Sequence, residues 1–289
     1  MDKLHSQPAR GTLLARRVPS SGELLPAVGL GTWQVFDVGG RERERAEARE
    51  TLRRFVELGG TVLDSSPMYG SSESVVGELA AEIGAHKKLF MATKVWTSGR
   101  AAGIRQMDES LRRMRVALKG PLDLMQVHNL VDADTHLATL REWKRDGRVR
   151  HIGVTHYHEG AYPELARYLK PGLVDFVQLN YSLAERRADE KMLRLASEAG
   201  IAVVVNRPFA EGALFSRVQG KTLPDWAEEF DCASWAQYFL KWILSHPAVT
   251  CAIPGTRHPK HIDDNLAAAR GKLPDEAMRR RMLEHFKRL

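Results

Sequence analysis

The stretch from residue 89 to residue 128 reads LFMATKVWTSGRAAGIRQMDESLRRMRVALKGPLDLMQVH, with short apolar runs at 89–94 and 122–128. Between these runs, apolar residues recur every three or four positions, at Ile104, Met107, Leu111, Met114 and Leu118. This spacing predicts a helix over 103–118 with one apolar stripe, and such a stripe must be covered by a sheet. The stretch therefore predicts a strand, a helix and a second strand parallel to the first.

The same alternation repeats along the whole chain. Apolar and β-branched runs predict eight strands, at 27–31, 61–64, 89–94, 122–128, 149–154, 174–179, 201–205 and 249–253. Amphipathic segments predict eight helices, near 42–58, 72–83, 103–118, 133–146, 160–169, 189–199, 231–245 and 258–269. Eight such units in 289 residues, with no Pro-, Gly- or Ser-rich linker, favour one α/β domain over 1–289, a closed (β/α)8 TIM barrel, over an open doubly wound sheet.

Three segments lie outside this repeat. Residues 1–26 end in a turn flanked by apolar stretches, which predicts a β-hairpin capping the N-terminal end of the barrel. Residues 206–230 carry Pro and Gly turns instead of a periodic pattern, and we expect a long cofactor and substrate loop there, with an idle surface insertion as the alternative. Residues 274–289 have apolar side chains at four-residue steps and predict an added C-terminal helix.

The composition excludes several classes of protein. With 43% hydrophobic and 27% charged residues, the chain is expected to be a soluble globular protein, and disorder and fibrous structure are excluded. The longest apolar runs, such as 201–205, are far shorter than the roughly 20 residues of a membrane-spanning helix. Because the N-terminal region also lacks the apolar core of a signal peptide, we expect a cytoplasmic protein without membrane contact.

The charge distribution and the cysteine content indicate neither a nucleic-acid-binding protein nor a cysteine metal site. The net charge of +7 is spread along the chain and belongs to no nucleic-acid-binding motif, so we expect no nucleic-acid partner and no obligate protein partner. Cys232 and Cys251 are the only two cysteines and lack metal-ligand spacing. We therefore expect both thiols to be buried and reduced, one in a helix and one in a strand.

Four polar residues are expected at the C-terminal ends of successive strands, where barrels of this kind build their sites. Asp64 ends the second strand and is followed by Tyr69, Lys94 ends the third and His128 ends the fourth. An ammonium beside a phenol lowers the phenol pKa from its ordinary value near ~10. We therefore expect Lys94 to make Tyr69 a proton donor near neutral pH, with Asp64 holding Lys94 charged and His128 reaching the substrate oxygen.

These residues belong to a longer pattern that resembles the aldo-keto reductases. The pattern consists of LDSSPMYGSSE at 63–73, Gly77, Lys94, His128, GVT at 153–155, QLNY at 178–181 and IPGT at 253–256. It extends over nearly the whole chain, from residue 29 to residue 265. The resemblance implies a (β/α)8 barrel that binds a reduced nicotinamide cofactor, usually NADPH, and reduces a small-molecule carbonyl substrate. It also implies that Asp64, Tyr69, Lys94 and His128 form the catalytic tetrad.

The resemblance also assigns residues to the nicotinamide end of the cofactor. Gln178 matches a glutamine that holds the carboxamide, Thr155 stands where a serine is common, and His156 replaces the usual asparagine. Asn206 occupies the position of a stacking tyrosine, so stacking must be weaker or come from another ring, such as Phe209 or Tyr181. Further loop residues that the resemblance places near the cofactor are Arg207, Pro208 and Gly212.

At the adenosine end, the resemblance implies that the cofactor meets Gly255, Thr256 and Arg257 at the start of a helix. Free backbone N–H groups and the helix dipole suit a phosphate at such a place. Arg257 is the expected partner of a 2′-phosphate. The lysine and arginine that many family members use here correspond to Gly255 and His261, so use of NADH stays possible. The residues matching the family's adenine contacts are Asp264 and Asn265.

For the substrate, the resemblance implies a mouth lined by Trp33, Trp96 and Asn129, with core packing as the alternative for each tryptophan.

Two other functions stay open. The altered cofactor positions would suit a cofactor-binding regulatory or sensor barrel with slow turnover. A metal-assisted hydrolase would use Asp64 and His128 as ligands, but no second histidine or carboxylate lies at a compatible strand end, and we expect no metal.

Overall fold

The computed structural model describes residues 11–289. Its strands are β1 (Ala15–Arg17), β2 (Leu24–Pro26), β3 (Leu30–Gly31), β4 (Val62–Asp64), β5 (Phe90–Val95), β6 (Leu122–His128), β7 (Val149–Thr155), β8 (Phe176–Asn180), β9 (Ala202–Asn206) and β10 (Val249–Ala252). Its α-helices are α1 (Glu42–Glu57), α2 (Ser72–Glu82), α3 (Arg100–Arg113), α4 (Ala133–Arg145), α5 (Tyr162–Leu165), α6 (Met192–Glu198), α7 (Ala213–Arg217), α8 (Trp235–Leu244), α9 (Pro259–Ala267) and α10 (Glu276–Arg288).

The strands β3 to β10 form one parallel sheet in sequence order, and the two ends of that sheet meet. Val28 forms a parallel bridge with Ala252, and Gly31 forms another with Gly255. A Cβ atom on Gly31 would lie 2.8 Å from the carbonyl oxygen of Ile253, so this close approach requires glycine. The predicted (β/α)8 barrel is therefore confirmed.

The N-terminal hairpin forms where it was predicted, from β1 and β2 in antiparallel pairing. Val18 in its turn and Leu25 in β2 are buried, and both belong to an apolar cluster that contains Phe90, Leu124 and other residues of the barrel strands. The hairpin thus closes one end of the barrel. Residues 1–10 of the predicted cap lie outside the described residues.

The helix predicted over 103–118 ends earlier, at Arg113. Arg115 has a left-handed backbone with φ of 51°, which interrupts the helix. Met107 and Met114 are fully buried as the apolar stripe predicts, whereas Leu118 lies beyond the end of the helix and is 52% exposed. The prediction that Leu118 belongs to the apolar stripe is wrong, because the left-handed Arg115 changes the direction of the chain before it.

Further boundaries differ from the prediction, and the helix predicted over 160–169 is reduced to the four residues of α5. The predicted loop 206–230 contains α7 and two 3-10 turns, and Leu214 of α7 is buried in the core. The next helix starts at Trp235 instead of 231, because the Ser234 hydroxyl accepts the backbone N–H of Gln237 and caps it there. Cys232 consequently precedes this helix.

The predicted C-terminal helix forms as α10. Its residues Met282 and Phe286 are buried, and the hydroxyl of Tyr238 in α8 donates to the carbonyl oxygen of Met282 at 2.9 Å. Both cysteines are buried and carry free thiols. In residues 11–289, no helix combines the length and the apolar character needed to cross a membrane.

The hairpin offers a matched pair of leucines for a test of its capping role. Leu25 is 2% exposed and its neighbour Leu24 is 58% exposed. We expect Leu25→Ala to lower the free energy of unfolding by about 2–4 kcal/mol through the lost apolar contacts and the resulting cavity. Leu24→Ala is expected to change it by less than about 0.5 kcal/mol. Urea unfolding curves measure both values, and equal values for the two variants would contradict the capping role.

Candidate active site

The four predicted site residues lie together at the C-terminal ends of three adjacent strands. Asp64 is the last residue of β4, Lys94 lies near the end of β5 and His128 ends β6, while Tyr69 lies on the loop between β4 and α2. The pairing of β4 with β5, and of β5 with β6, places these strand ends side by side. Parallel pairing thus brings together residues that are far apart in the chain.

The centre of the site is a buried ion pair. The Lys94 Nζ atom lies 2.6 Å from Asp64 Oδ2 and donates a second hydrogen bond of 2.6 Å to the carbonyl oxygen of Ser65. The Lys94 side chain is fully buried and that of Asp64 is 5% exposed. The other carboxylate oxygen, Asp64 Oδ1, accepts from Gln178 Nε2 at 3.0 Å and from Gln126 Nε2 at 3.4 Å. Both charges are therefore compensated inside the barrel.

Tyr69 lies against this pair and against His128. The Lys94 Nζ atom is 5.2 Å from the centroid of the Tyr69 ring. The rings of Tyr69 and His128 meet edge to face, with centroids 5.9 Å apart. The Tyr69 hydroxyl makes no hydrogen bond with any residue that the structure describes. This hydroxyl is consequently free to donate to a ligand.

The pKa of Tyr69 shifts in the opposite direction to the one predicted. Burial raises the pKa of the phenol, and the negative charge of Asp64 raises it further. The predicted lowering by Lys94 is wrong in this structure because the ammonium is paired with Asp64 at 2.6 Å and its charge is offset there. Burial also lowers the pKa of Lys94 itself. Tyr69 therefore holds its proton at neutral pH.

His128 is a neutral imidazole. Burial lowers its pKa to about 2, and the positive charge of Lys94 acts in the same direction. Because this value lies far below neutral pH, the ring carries one proton, on either Nδ1 or Nε2.

Ser66 is the hydrogen-bond partner of His128 Nδ1. The Ser66 Oγ atom accepts the backbone N–H of Met68 at 3.4 Å and lies 2.9 Å from His128 Nδ1. The Ser66 hydroxyl can donate to Nδ1 when the ring proton is on Nε2, and it can accept from Nδ1 in the other tautomer. Ser66 lies within the 63–73 stretch, but its contact with His128 could not be predicted, because a small hydroxyl three residues before Tyr69 gives no signal of its own.

A second buried carboxylate lies near Lys94 and was also missed. Glu73 of α2 is 1% exposed, and its Oε1 atom accepts the Thr93 hydroxyl at 2.6 Å. Its Oε2 atom lies 3.7 Å from a guanidinium nitrogen of Arg113. Burial raises the pKa of Glu73, and the charges of Arg113 and Lys94 oppose that shift. Two carboxylates therefore act on the charge of Lys94, Asp64 at the end of β4 and Glu73 in α2.

The residues assigned to the cofactor carboxamide are arranged differently from expectation. The Gln178 side chain donates to Asp64 Oδ1 and accepts the Thr155 hydroxyl at 3.1 Å, so both ends of this amide are engaged. His156 Nδ1 accepts the backbone N–H of His158 at 3.1 Å, which places its ring proton on Nε2 in the neutral form. Burial lowers the pKa of His156 and favours that neutral form.

The loop after β9 leaves one polar atom of Asn206 without a partner. Its Nδ2 atom donates to the carbonyl oxygen of His156 at 3.4 Å, while its Oδ1 atom is buried and unpaired. Arg207 donates to the carbonyl oxygen of Tyr157 at 3.2 Å and lies 3.6 Å from a carboxylate oxygen of Glu185. Pro208, which follows, is buried, and Gly212 has φ of 95°.

The two rings proposed for nicotinamide stacking differ in their surroundings. Phe209 packs against Phe215, with ring centroids 4.8 Å apart, and against Phe239. Tyr181 is fully buried and its hydroxyl donates to Asp189 at 2.6 Å. Tyr181 is therefore enclosed in the core, whereas Phe209 is half-buried, and its stacking on a nicotinamide stays a prediction.

The segment expected at the adenosine end forms the start of α9. The Thr256 hydroxyl oxygen accepts the backbone N–H of His258 at 3.1 Å and lies 3.1 Å from His261 Nδ1. Burial lowers the pKa of His261, so this residue is a poor substitute for a permanently charged arginine. Arg257 is half-buried and Gly255 is exposed.

Asp264 and Asn265, the two residues expected at the adenine, differ from each other in their surroundings. The Asp264 carboxylate accepts the Ser234 hydroxyl at 2.8 Å and Gln237 Nε2 at 2.7 Å, which joins α9 to the start of α8. The Asp264 carboxylate therefore stabilises the contact between these two helices. The side chain of Asn265 is 4% exposed.

The two tryptophans expected at the substrate mouth are exposed, which excludes the alternative of core packing. Trp33 follows β3 with 43% exposure, and Trp96 follows β5 with 42% exposure. Asn129 follows β6 with a left-handed backbone, and its Oδ1 atom is buried and unpaired. Within residues 11–289, no group of three or more His, Cys, Asp or Glu side chains is arranged to hold a metal ion.

Comparisons with known proteins agree with this fold. Residues 27–281 match the model of the aldo/keto reductase family. The chain is 28% identical over 260 residues to methylglyoxal reductase YeaE of Escherichia coli, covering 87% of this chain and 88% of that protein. It is 23% identical over 279 residues to aldo-keto reductase YhdN of Bacillus subtilis, covering 82% of each.

Among solved structures, an aldo/keto reductase from Klebsiella pneumoniae in complex with NADP and acetate superposes with a TM-score of 0.78. The two chains are 23% identical, and the match covers 92% of this chain and 93% of the other. This likeness shows the same fold, and the family match spans most of the chain. The protein therefore belongs to the aldo/keto reductase family.

Proposed function

We propose that this protein reduces aldehydes or ketones to alcohols with a reduced nicotinamide cofactor, and that Tyr69 donates the proton. The observation that carries the proposal is the free Tyr69 hydroxyl, which lies beside neutral His128 and against the buried pair of Lys94 and Asp64. A protonated donor, a neutral hydrogen-bonding ring and a buried cation are the groups that protonation of a developing alkoxide requires.

The residues at the C-terminal ends of the strands fit such a cofactor. Buried amide oxygens of Asn129 and Asn206 lack donors, and an unpaired buried acceptor is costly unless a ligand satisfies it. The N–H groups of a carboxamide are suitable donors for Asn206, while the Nε2 proton of neighbouring His156 can bond the carboxamide oxygen. At the other end, Arg257 and the start of α9 suit a phosphate. When bound, the cofactor would supply the hydride.

The proton would come from Tyr69. Because its pKa is raised, the phenol is protonated when the substrate oxygen approaches. An alkoxide is a far stronger base than a phenolate, so transfer from this phenol to the substrate oxygen is still favourable. The Nε2 proton of His128 would hold that oxygen in place.

The mouth of the site favours a carbonyl compound with an apolar substituent. Large apolar side chains on the loops after β3, β4, β5 and β7 are exposed, although such side chains are usually buried. They are Trp33, Met68, Trp96 and Tyr157. Their flat or flexible apolar surfaces would cover the substituent and exclude water from the reacting atoms.

Removal of the Tyr69 hydroxyl tests this function. We expect Tyr69→Phe to lower kcat for carbonyl reduction by about 10²–10⁴-fold, the usual contribution of a general acid. The dissociation constant of NADPH should change by less than about twofold, because a phenol hydroxyl that contacts the substrate adds little to cofactor binding. Steady-state oxidation of NADPH by a panel of aldehydes and ketones, together with fluorescence titration of NADPH, measures both quantities.

Tyr238→Phe is the matched control, since Tyr238 lies in α8 and its hydroxyl donates to the carbonyl oxygen of Met282 in α10, and this variant is expected to keep wild-type kcat. A Tyr69→Phe variant that retains more than about a tenth of wild-type kcat would contradict the assignment of the proton donor.

A second candidate function is a cofactor-binding regulatory barrel with slow turnover. It is favoured by the engaged Gln178 amide and by the packing of Phe209 against Phe215. In the same experiment, a wild-type protein that binds NADPH but oxidises it with no carbonyl compound of the panel would support this candidate and refute the first.

The role of Ser66 gives a further prediction. We expect Ser66→Ala to release the Nδ1 atom of His128, allow the ring proton to move between the two nitrogens and lower kcat/KM by about tenfold. The ¹⁵N chemical shifts of the His128 ring report this change directly. Ser66→Thr keeps the hydroxyl and should restore both the shifts and the activity.

Ser65→Ala is the matched control, because Ser65 is equally buried but its Oγ atom accepts the Thr32 hydroxyl and not His128. Unchanged ring shifts in Ser66→Ala would show that Ser66 does not determine the tautomer.

A further inference from the structure

One face of α1 packs against the start of α9. Glu47, Thr51 and Arg54 are spaced by four and three residues, which places them on the same face of a helix. The Thr51 hydroxyl donates to the carbonyl oxygen of Arg257 at 2.5 Å, and the Arg54 guanidinium lies 2.6 Å from Asp263. The backbone that carries Arg257 is therefore fixed against α1, and Glu47 is held one helical turn away.

Glu47 lies beside Arg257 and His258 at the start of α9. Its Oε2 atom lies 3.7 Å from Arg257 Nε and 3.8 Å from His258 Nδ1. The side chains of Glu47 and Arg257 are 35% and 34% exposed, so both charges remain accessible from solvent. In this arrangement, Glu47 offsets the cation that the family resemblance assigns to a 2′-phosphate.

We propose that Glu47 determines the choice between NADPH and NADH by opposing a 2′-phosphate at Arg257. This inference rests on the proposed function, because it assumes that the adenosine end of the cofactor lies at the start of α9. A 2′-phosphate that bonds Arg257 comes within reach of the Glu47 carboxylate, and like charges at that distance repel. A ribose 2′-hydroxyl can instead donate to the carboxylate, as it does in many NAD-binding proteins.

Other charges in the segment do not restore a preference for the phosphate. Gly255 has no side chain, and burial lowers the pKa of His261, which favours its neutral form. Asp263 is paired with Arg54. Lys260 is exposed in the first turn of α9 and adds a mobile positive charge at most. Arg257, partly offset by Glu47, is thus the principal cation, and the protein should bind NADPH and NADH with similar affinity.

The test is a comparison of dissociation constants for NADPH and NADH, measured by fluorescence titration of the full-length protein. Glu47→Gln keeps the shape of the side chain and removes its charge. We expect this variant to bind NADPH about three- to tenfold more tightly, as fits one partly exposed charge acting on a dianion, with NADH binding unchanged or weaker. Because the effect is electrostatic, it should shrink as the salt concentration rises.

Glu50→Gln is the matched control, since Glu50 lies on the same helix, loses the same charge and is paired with Arg53 instead of Arg257. It should leave the ratio of the two dissociation constants unchanged. Arg257→Gln should weaken NADPH alone and abolish the effect of a second change at Glu47.

The possible failures are distinguishable. If wild type binds both cofactors but Glu47→Gln leaves their ratio unchanged or weakens NADPH, Glu47 merely positions Arg257 or has no role, and this inference is overturned while the proposed function stands. If wild type binds neither cofactor, the proposed function fails and the inference fails with it.

Discussion

The buried ion pair between Lys94 and Asp64 is the interaction on which the rest of the site depends. Two opposite charges inside a barrel are tolerated only when they are paired and hydrogen-bonded, and here each carries further bonds, to Ser65 on one side and to Gln178 on the other. The pair fixes the end of β4 against β5 and aligns Gln178 from the far side of the barrel. It also determines the electrostatic environment of Tyr69.

This pairing changes the account of the proton donor. A free ammonium would lower the pKa of the neighbouring phenol, but the Lys94 ammonium is paired with Asp64 at 2.6 Å. Burial and the Asp64 carboxylate then determine the pKa of Tyr69, and both raise it. The site therefore stores a proton at neutral pH instead of releasing it. If Tyr69 is the proton donor, as proposed, it meets the substrate in its protonated form.

The fold and the cluster of four polar residues could be predicted from sequence, because both follow from local patterns: alternating apolar runs give the barrel, and parallel strands align their ends. The partners of individual side chains could not. The bond between Ser66 and His128, the engagement of Gln178 by Asp64, and the packing of Phe209 on Phe215 each join residues by side-chain direction, which no spacing encodes. Leu118 failed for a related reason, since one left-handed residue ended its helix.

The most direct test of the central claim is an ultraviolet titration of phenolate absorbance, taken as the difference between wild type and Tyr69→Phe. A raised pKa keeps the phenol protonated, so the account predicts no phenolate signal from Tyr69 between about pH 6 and pH 9, below the ordinary phenol value of ~10. A Tyr69-specific signal with a midpoint inside that range would contradict the account, because it would show that Lys94 acts on the phenol as an uncompensated cation.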